Sequence, residues 1–158
     1  METKLEAIGL AIGRIPSGCS ILTVQHAGRS TGMLVSWVQQ VAFNPPSVCV
    51  GVKQGRPAAM LIEGSKRFVL NVVGEDPKPM FKRFGKGFSL EQDAFAGLPT
   101  EPSEFGPIIT ECIAQLGCRV TQKVTVGDHD LYIAEVCNAR APSGAKPYVH
   151  LRNNGLSY

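Results

Sequence analysis

Apolar and polar positions along the chain change period several times, and each change marks a new element. Leu5-Glu6-Ala7-Ile8-Gly9-Leu10-Ala11-Ile12 carries apolar residues near helical spacing and predicts a short helix ending before Gly13 and Pro16. From Cys19 the β-branched run Ser20-Ile21-Leu22-Thr23-Val24-Gln25 predicts a strand. Residues 27–32 read as a polar, glycine-bounded turn, and residues 33–38 resume as the second arm of a hairpin. Asn44-Pro45-Pro46 interrupts, because proline lacks a donor and restricts the residue before it, and residues 47–52 follow as a mostly apolar strand. Residues 57–64 predict a short helix with proline in its first turn and glycine after its end, and residues 67–73 another strand. Between 74 and 107 the pattern turns polar and loop-rich around one short helix at 79–84. A connection of that length in a compact domain is usually functional or mobile. The last third predicts strands at 111–121, 130–140 and 148–151, the first two joined through Val126-Gly127-Asp128-His129. About six strands with two or three small helices favour a closed or half-closed β-barrel over a doubly wound sheet.

The 158 residues suit a single domain spanning 1–158. Hydrophobic residues make up 44 % and charged residues 18 %, which excludes disorder as a description of the whole chain. Sixteen Lys and Arg against thirteen Asp and Glu leave a net charge of +3. The basic residues are scattered apart from Lys78 and a run around Lys82 to Lys86, so no stripe marks a nucleic-acid partner, while anionic small molecules remain candidate ligands. No stretch approaches the roughly 20 apolar residues of a membrane span, and the first residues lack a secretory core; a soluble, cytoplasmic protein is expected. The five cysteines form no CxxC pair and read as buried free thiols of a reducing compartment. His26, His129 and His150 are too dispersed for a local metal motif, and no metal site is expected.

Neither GxGxxG after the first strand nor GxxxxGK[ST] occurs, so any nucleotide must be held by other means. A flavin needs donors for its phosphate, a flat apolar wall, and donors where negative charge develops on reduction. Thr31, Ser36, Gln39 and Gln40 offer side-chain donors, the backbone of Met33 to Val35 offers an edge, and Lys53-Gln54-Gly55-Arg56-Pro57 places positive charge beside a helix N-terminus. The same residues also read as hairpin ends with solvated side chains. Gly127-Asp128-His129 is ordinary turn chemistry, which residue physics alone favours over a ligand-facing imidazole. Trp37 on a strand is more often core or interface than a stacking platform. Asp128, Asp130, Glu111 and Glu135 show no acid–base spacing, and Cys112 and Cys118 have no base beside them.

Arg14-Ile15-Pro16-Ser17-Gly18 with Ile21-Leu22-Thr23, Gly32-Met33-Leu34-Val35-Ser36, Asn44-Pro45-Pro46, Phe68-Val69-Leu70-Asn71-Val72 and Gly127-Asp128-His129 together resemble, in order, the flavin reductase-like family of FMN-binding split barrels. The resemblance runs from about Ile8 to Arg152, and its specificity lies in the ordered set. Ser36-Trp37-Val38, Lys53-Gln54-Gly55-Arg56-Pro57-Ala58-Ala59 and the ending from Lys146 to Leu156 resemble the C-terminal reductase module of flavodiiron proteins of oxygenic phototrophs.

That resemblance implies a mainly β fold with small helices, a six-stranded split β-barrel of Greek-key type. It further implies a homodimer with FMN, or alternatively FAD, near the dimer interface and NADH or NADPH as electron donor. Carried over by position, flavin contacts fall to Met33, Leu34, Val35, Ser36, Gln39, Gln40, Lys53, Gln54, Arg56, Pro57, Ala58 and Asn71, and the catalytic-site histidine to His129. Many relatives hold small hydroxyl residues where Leu34, Trp37 and Gln39-Gln40 stand, which here leaves fewer phosphate donors and narrows the site. The implied partners are a β-lactamase-like diiron domain and a flavodoxin-like domain of a longer polypeptide. A stand-alone reductase feeding a monooxygenase, and a non-catalytic flavin-binding dimerisation barrel, are the rival readings.

Overall fold

The computed structural model describes residues 2–142 and 144–158. In chain order the elements are α1 (Lys4–Gly13), β1 (Ser17–Gly18), β2 (Ser20–His26), β3 (Arg29–Val35), β4 (Val38–Phe43), β5 (Pro46–Lys53) and α2 (Pro57–Ser65). They continue with β6 (Arg67–Val72), α3 (Lys78–Phe84), β7 (Thr100–Glu101), β8 (Ile108–Ile109), β9 (Ala114–Val126), β10 (His129–Arg140) and β11 (Val149–His150). Most were expected from the pattern, with shifted ends. The first turn shrinks to Ala27-Gly28, both at positive φ (50° and 78°), the geometry that matches the twist of a two-residue hairpin. The expected strand at 33–38 breaks at Ser36-Trp37, and residues beyond the break form β4, a strand that the sequence pattern did not announce.

Seven strands form one antiparallel sheet in the order β3-β2-β6-β9-β10-β5-β4. The consecutive strands β3 and β4 lie at its opposite edges, yet only Ser36 and Trp37 join them. The three steps from Val35 to Val38 span at most about 11 Å, so the sheet has to curl until its edges nearly meet. Among the described residues no hydrogen-bonded ladder zips those edges together; the barrel is split there. Gly51 on β5 makes the closure sterically feasible: its N–H donates to the Trp37 carbonyl at 2.9 Å, and a Cβ at Gly51 would meet the Trp37 side chain at 3.1 Å.

β2 is buried along both faces from Ser20 to Val24, which explains its unbroken apolar run. Leu22 and Val24 face the barrel interior with Val50, Val52, Ile62, Phe68, Leu70 and Tyr132. Ile21 faces a second core with Val73, Met80, Phe84, Ala94 and Ile109, roofed by α3 and the long connection after β6. That connection is therefore part of the packed structure.

α1 opens with a reciprocal cap in which Glu6 N–H donates to Thr3 Oγ1 (3.2 Å) and Thr3 N–H to Glu6 Oε2 (2.6 Å). Its glycines admit the segment that follows β11. A Cβ on Gly9 would meet Asn154 at 2.6 Å and one on Gly13 the Arg152 carbonyl at 2.6 Å, and Gly155 N–H donates to Gly9 O at 2.7 Å. Backbone thus lies against backbone, and β1–β11 pairing (Ser17 with His150) fixes the register.

Asn71 on β6 needs a correction to its expected flavin contact. It is fully buried between β2 and β8, where its Nδ2 donates to Ile21 O (3.0 Å) and Thr23 Oγ1 (3.1 Å), and its Oδ1 accepts from Ile109 N–H (2.8 Å). With its donors and acceptor engaged inside the protein, it stitches the second core to the barrel. Asn71→Ala is expected to lower unfolding stability by about 2–4 kcal/mol, since it orphans buried backbone groups. Denaturant unfolding measures this; an unchanged midpoint would contradict the stitching role.

Candidate functional site

The break between β3 and β4 opens a cleft of about 510 Å³ at the split. Its floor is the end of β3 and the linker, Met33 to Trp37, with Gly51 and Lys53 of β5. One wall is Phe81 and Gly85 of α3 and the turn after it, and the roof is His150, Arg152 and the following residues to Tyr158. Lys53, Arg56 and Arg152 line the cleft, and among the described residues no carboxylate does. A mostly apolar slot whose charged side chains, among the described residues, are all cations suits a flat ligand that is, or becomes, anionic. Cys19 also borders it, but burial pushes its thiol up to about 11, so it stands there as a packing group and not as a thiolate nucleophile.

Met33 and Arg56 continue into a smaller adjoining cavity of about 340 Å³ at the N-terminus of α2. Thr31, Pro57, Ala58, Lys86 and Ser89 complete much of its wall. No side chain caps α2; Arg56 occupies the cap position and Pro57 the first turn, so the helix presents backbone N–H groups beside two cationic side chains. Among the described residues, two buried side-chain polar atoms lack partners, Thr31 Oγ1 and His150 Nδ1. Each belongs to a residue lining one of these two cavities. Buried polar groups are rarely left unpaired, and both of these belong to residues at the cavity walls. Burial, and then Arg152, pull the His150 pKa below its ordinary 6.5, leaving a neutral ring near pH 7.

His129 opens β10 directly after the Gly127-Asp128 turn, so the turn reading and the functional reading describe the same residue. It is buried, and its ring lies 4.4 Å from that of Trp37 with a 36° tilt. Its Nδ1 is 2.8 Å from Asp128 Oδ1 and its Nε2 is 2.6 Å from the Tyr158 hydroxyl. The imidazole hydrogen bond holds the Asp128 carboxyl below the ordinary aspartate value. An ionised Asp128 accepts Nδ1–H, and in that tautomer Nε2 accepts the Tyr158 O–H. His129 itself contributes no surface to the cleft; Trp37 and Tyr158 do.

Of the expected flavin contacts, the structure gathers Met33, Leu34, Val35, Ser36, Lys53 and Arg56 around the cleft and Pro57 and Ala58 around its annex. It does not bring the other four there. Gln39 and Gln40 lie exposed on the edge strand β4 and bond to neighbouring carbonyls. Gln54 turns away to donate to Asp130 Oδ1 (3.3 Å), and Asn71 lies in the core as described. Residue patterning missed Phe81, which α3 brings to the cleft, and His150, Arg152 and Tyr158, which reach it through packing of the last segment on α1; no local motif encodes either. Among the described residues no group of three or more His, Cys, Asp or Glu is clustered for a metal ion.

The site is thus a cationic slot at the split of a curled antiparallel barrel. The chain belongs to the flavin reductase like domain family, whose sequence profile matches residues 12–155. It is 38 % identical over 151 residues to diflavin flavoprotein A 1 of Synechocystis sp., covering 94 % of this chain and 26 % of the relative. The chain therefore spans about a quarter of the curated relatives it matches. In structure it is similar to the nitrilotriacetate monooxygenase component B homologue from Mycobacterium thermoresistibile. That match has a TM-score of 0.81 and 28 % identity, and covers 91 % of this chain and 80 % of the other. It is also similar to the styrene monooxygenase flavin reductase from Pseudomonas putida S12, with a TM-score of 0.75, 25 % identity and 90 % of each chain covered.

If the annex holds a phosphate, Arg56→Ala is expected to weaken flavin binding by roughly 10- to 100-fold, the weight of a charge-assisted contact, and Thr31→Val by less. Gln40→Ala is expected to leave it unchanged. Titration of flavin fluorescence against each variant measures this; equal affinities for Arg56→Ala and wild type would remove the annex from the binding site.

Proposed function

We propose that this chain is an NAD(P)H:flavin oxidoreductase module that holds FMN, with FAD the alternative, across the cleft and annex. The carrying observation is the continuity of the two cavities through Met33 and Arg56, one apolar and flat, the other cationic at a helix N-terminus. A bound flavin would supply a two-electron acceptor for hydride from the nicotinamide nucleotide. The chain's own residues then have separate tasks. The β3 end and linker form the edge against which a planar ring is oriented. Thr31, Arg56, Lys86 and the first turn of α2 would hold the phosphate. Lys53 and Arg152 would offset negative charge gained on reduction, and the apolar walls exclude water. His129 is a positioning residue, held in one tautomer by Asp128.

The similarity to diflavin flavoproteins supports a place within a longer polypeptide, where electrons pass to a flavodoxin-like and diiron core that reduces oxygen. The monooxygenase-linked neighbours support the second reading, a separate reductase supplying reduced flavin. The length of the natural polypeptide separates the two. A homodimer is part of the proposal: Val41 (51 % exposed) and Phe43 (91 % exposed) lie on edge strand β4, where a second copy would cover them. The free thiols suit a reducing compartment such as the cytoplasm, and no helix among the described residues is long and apolar enough to cross a membrane.

The purified chain loaded with FMN or FAD and mixed anaerobically with NADH or NADPH is expected to lose the oxidised-flavin visible band with one donor preferred. His129→Ala is expected to slow that bleaching by about 10- to 100-fold through misplacement. A bound flavin that stays oxidised with both donors would favour the non-catalytic barrel, and a wild-type rate in His129→Ala would remove the histidine from the mechanism.

A further inference from the structure

We infer that Tyr158 is a displaceable plug on the nicotinamide side of the site, and that the nicotinamide nucleotide binds by taking its place against His129 and Trp37. This rests on the reductase reading above and adds a determinant of donor affinity to it. The two ring nitrogens of His129 are engaged within the chain, Nδ1 by Asp128 and Nε2 by the Tyr158 hydroxyl. Tyr158 lies 5.9 Å from the Trp37 ring, tilted by 33°, and 6.2 Å from the imidazole. Arg152 places its guanidinium 5.4 Å from the Trp37 centroid. A flat ring with a polar group at its edge thus already lies between His129 and the cleft, against Trp37.

The plug is anchored up to a point and loose beyond it. Gly155 is tied to α1 by its N–H to Gly9 O, while the Tyr158 residue is 72 % exposed. Displacing it gives up one hydrogen bond and little buried apolar area. A dihydronicotinamide has the chemistry to replace it: a planar ring to lie on Trp37 and a carboxamide N–H₂ to donate to the freed Nε2. Apparent affinity is then the intrinsic affinity scaled by the fraction of molecules with Tyr158 away. One net hydrogen bond corresponds to a closed state favoured by about 2- to 10-fold.

The test uses the flavin-loaded chain as wild type, Tyr158→Phe and Tyr158→Ala. Two quantities are read: KM and kcat for NADH and NADPH, and calorimetric Kd for NAD⁺ and NADP⁺. Tyr158→Ala is expected to lower KM and Kd by about 2- to 10-fold with no matching loss of kcat, and Tyr158→Phe to do so in part, because it keeps the ring and loses the hydroxyl. Flavin affinity is read on the same three proteins, and loss of bound flavin in both variants would show collapse of the roof and overturn the plug. Unchanged or raised KM and Kd in both variants, or no nucleotide binding to any of the three proteins, would overturn the plug. If wild type binds nucleotide but transfers no hydride, the reductase reading fails while the Kd comparison still decides the plug.

Discussion

Everything distinctive about this domain depends on a covalent constraint: two residues, Ser36 and Trp37, connect strands that end up at opposite edges of a seven-stranded sheet. Twist alone curls an antiparallel sheet, but the short tether dictates how far, and it leaves the two edges adjacent without letting them pair. An unpaired seam with exposed backbone is ordinarily a liability. Here it becomes the floor of a cleft. Gly51 is the small concession that permits it, because any side chain there would press on Trp37.

The charge arrangement follows from that geometry. Lys53 ends β5 and Arg56 caps α2, so the cations flank the seam because the loop between β5 and α2 must turn there. The acidic side chains nearby are committed elsewhere: Asp130 to Thr125 and Gln54, Glu63 to Lys123, Lys66 and Tyr132. The lysine hydrogen bonds hold Glu63 down to about 2, so it stays ionised and paired at neutral pH. Carboxylates are thereby kept out of a slot whose chemistry would add electrons, and with them negative charge, to a bound ring.

Most elements of this fold were legible in the residues because β2, β5, β6 and α2 carry periodic apolar runs bounded by glycine or proline. β4 was not, since Gln39 and Gln40 are exposed and Val41 sits at a bulge opposite β5, which leaves no alternation to read. The half of the candidate cleft on contiguous residues, Met33 to Ser36, Lys53 and Arg56 to Ala58, was visible for the same reason: strand ends and a helix start have local signatures. Asn71 shows the limit of carrying a residue over by position, because only tertiary packing reveals that its amide is spent on Ile21, Thr23 and Ile109. His150, Arg152 and Tyr158 arrive from over a hundred residues beyond the β3 floor, through a glycine seam on α1 whose meaning is geometric and leaves no motif.

That seam has a quantitative corollary. With Gly155 fixed on Gly9, Leu156 and Ser157 form a tether that keeps Tyr158 near His129 at a high effective concentration, of the millimolar order typical of short linkers or above. An incoming nucleotide competes against that local concentration and not against bulk solvent. Donor affinity in this domain is therefore adjustable through the length and stiffness of a two-residue leash, without altering any group that touches the cleft floor.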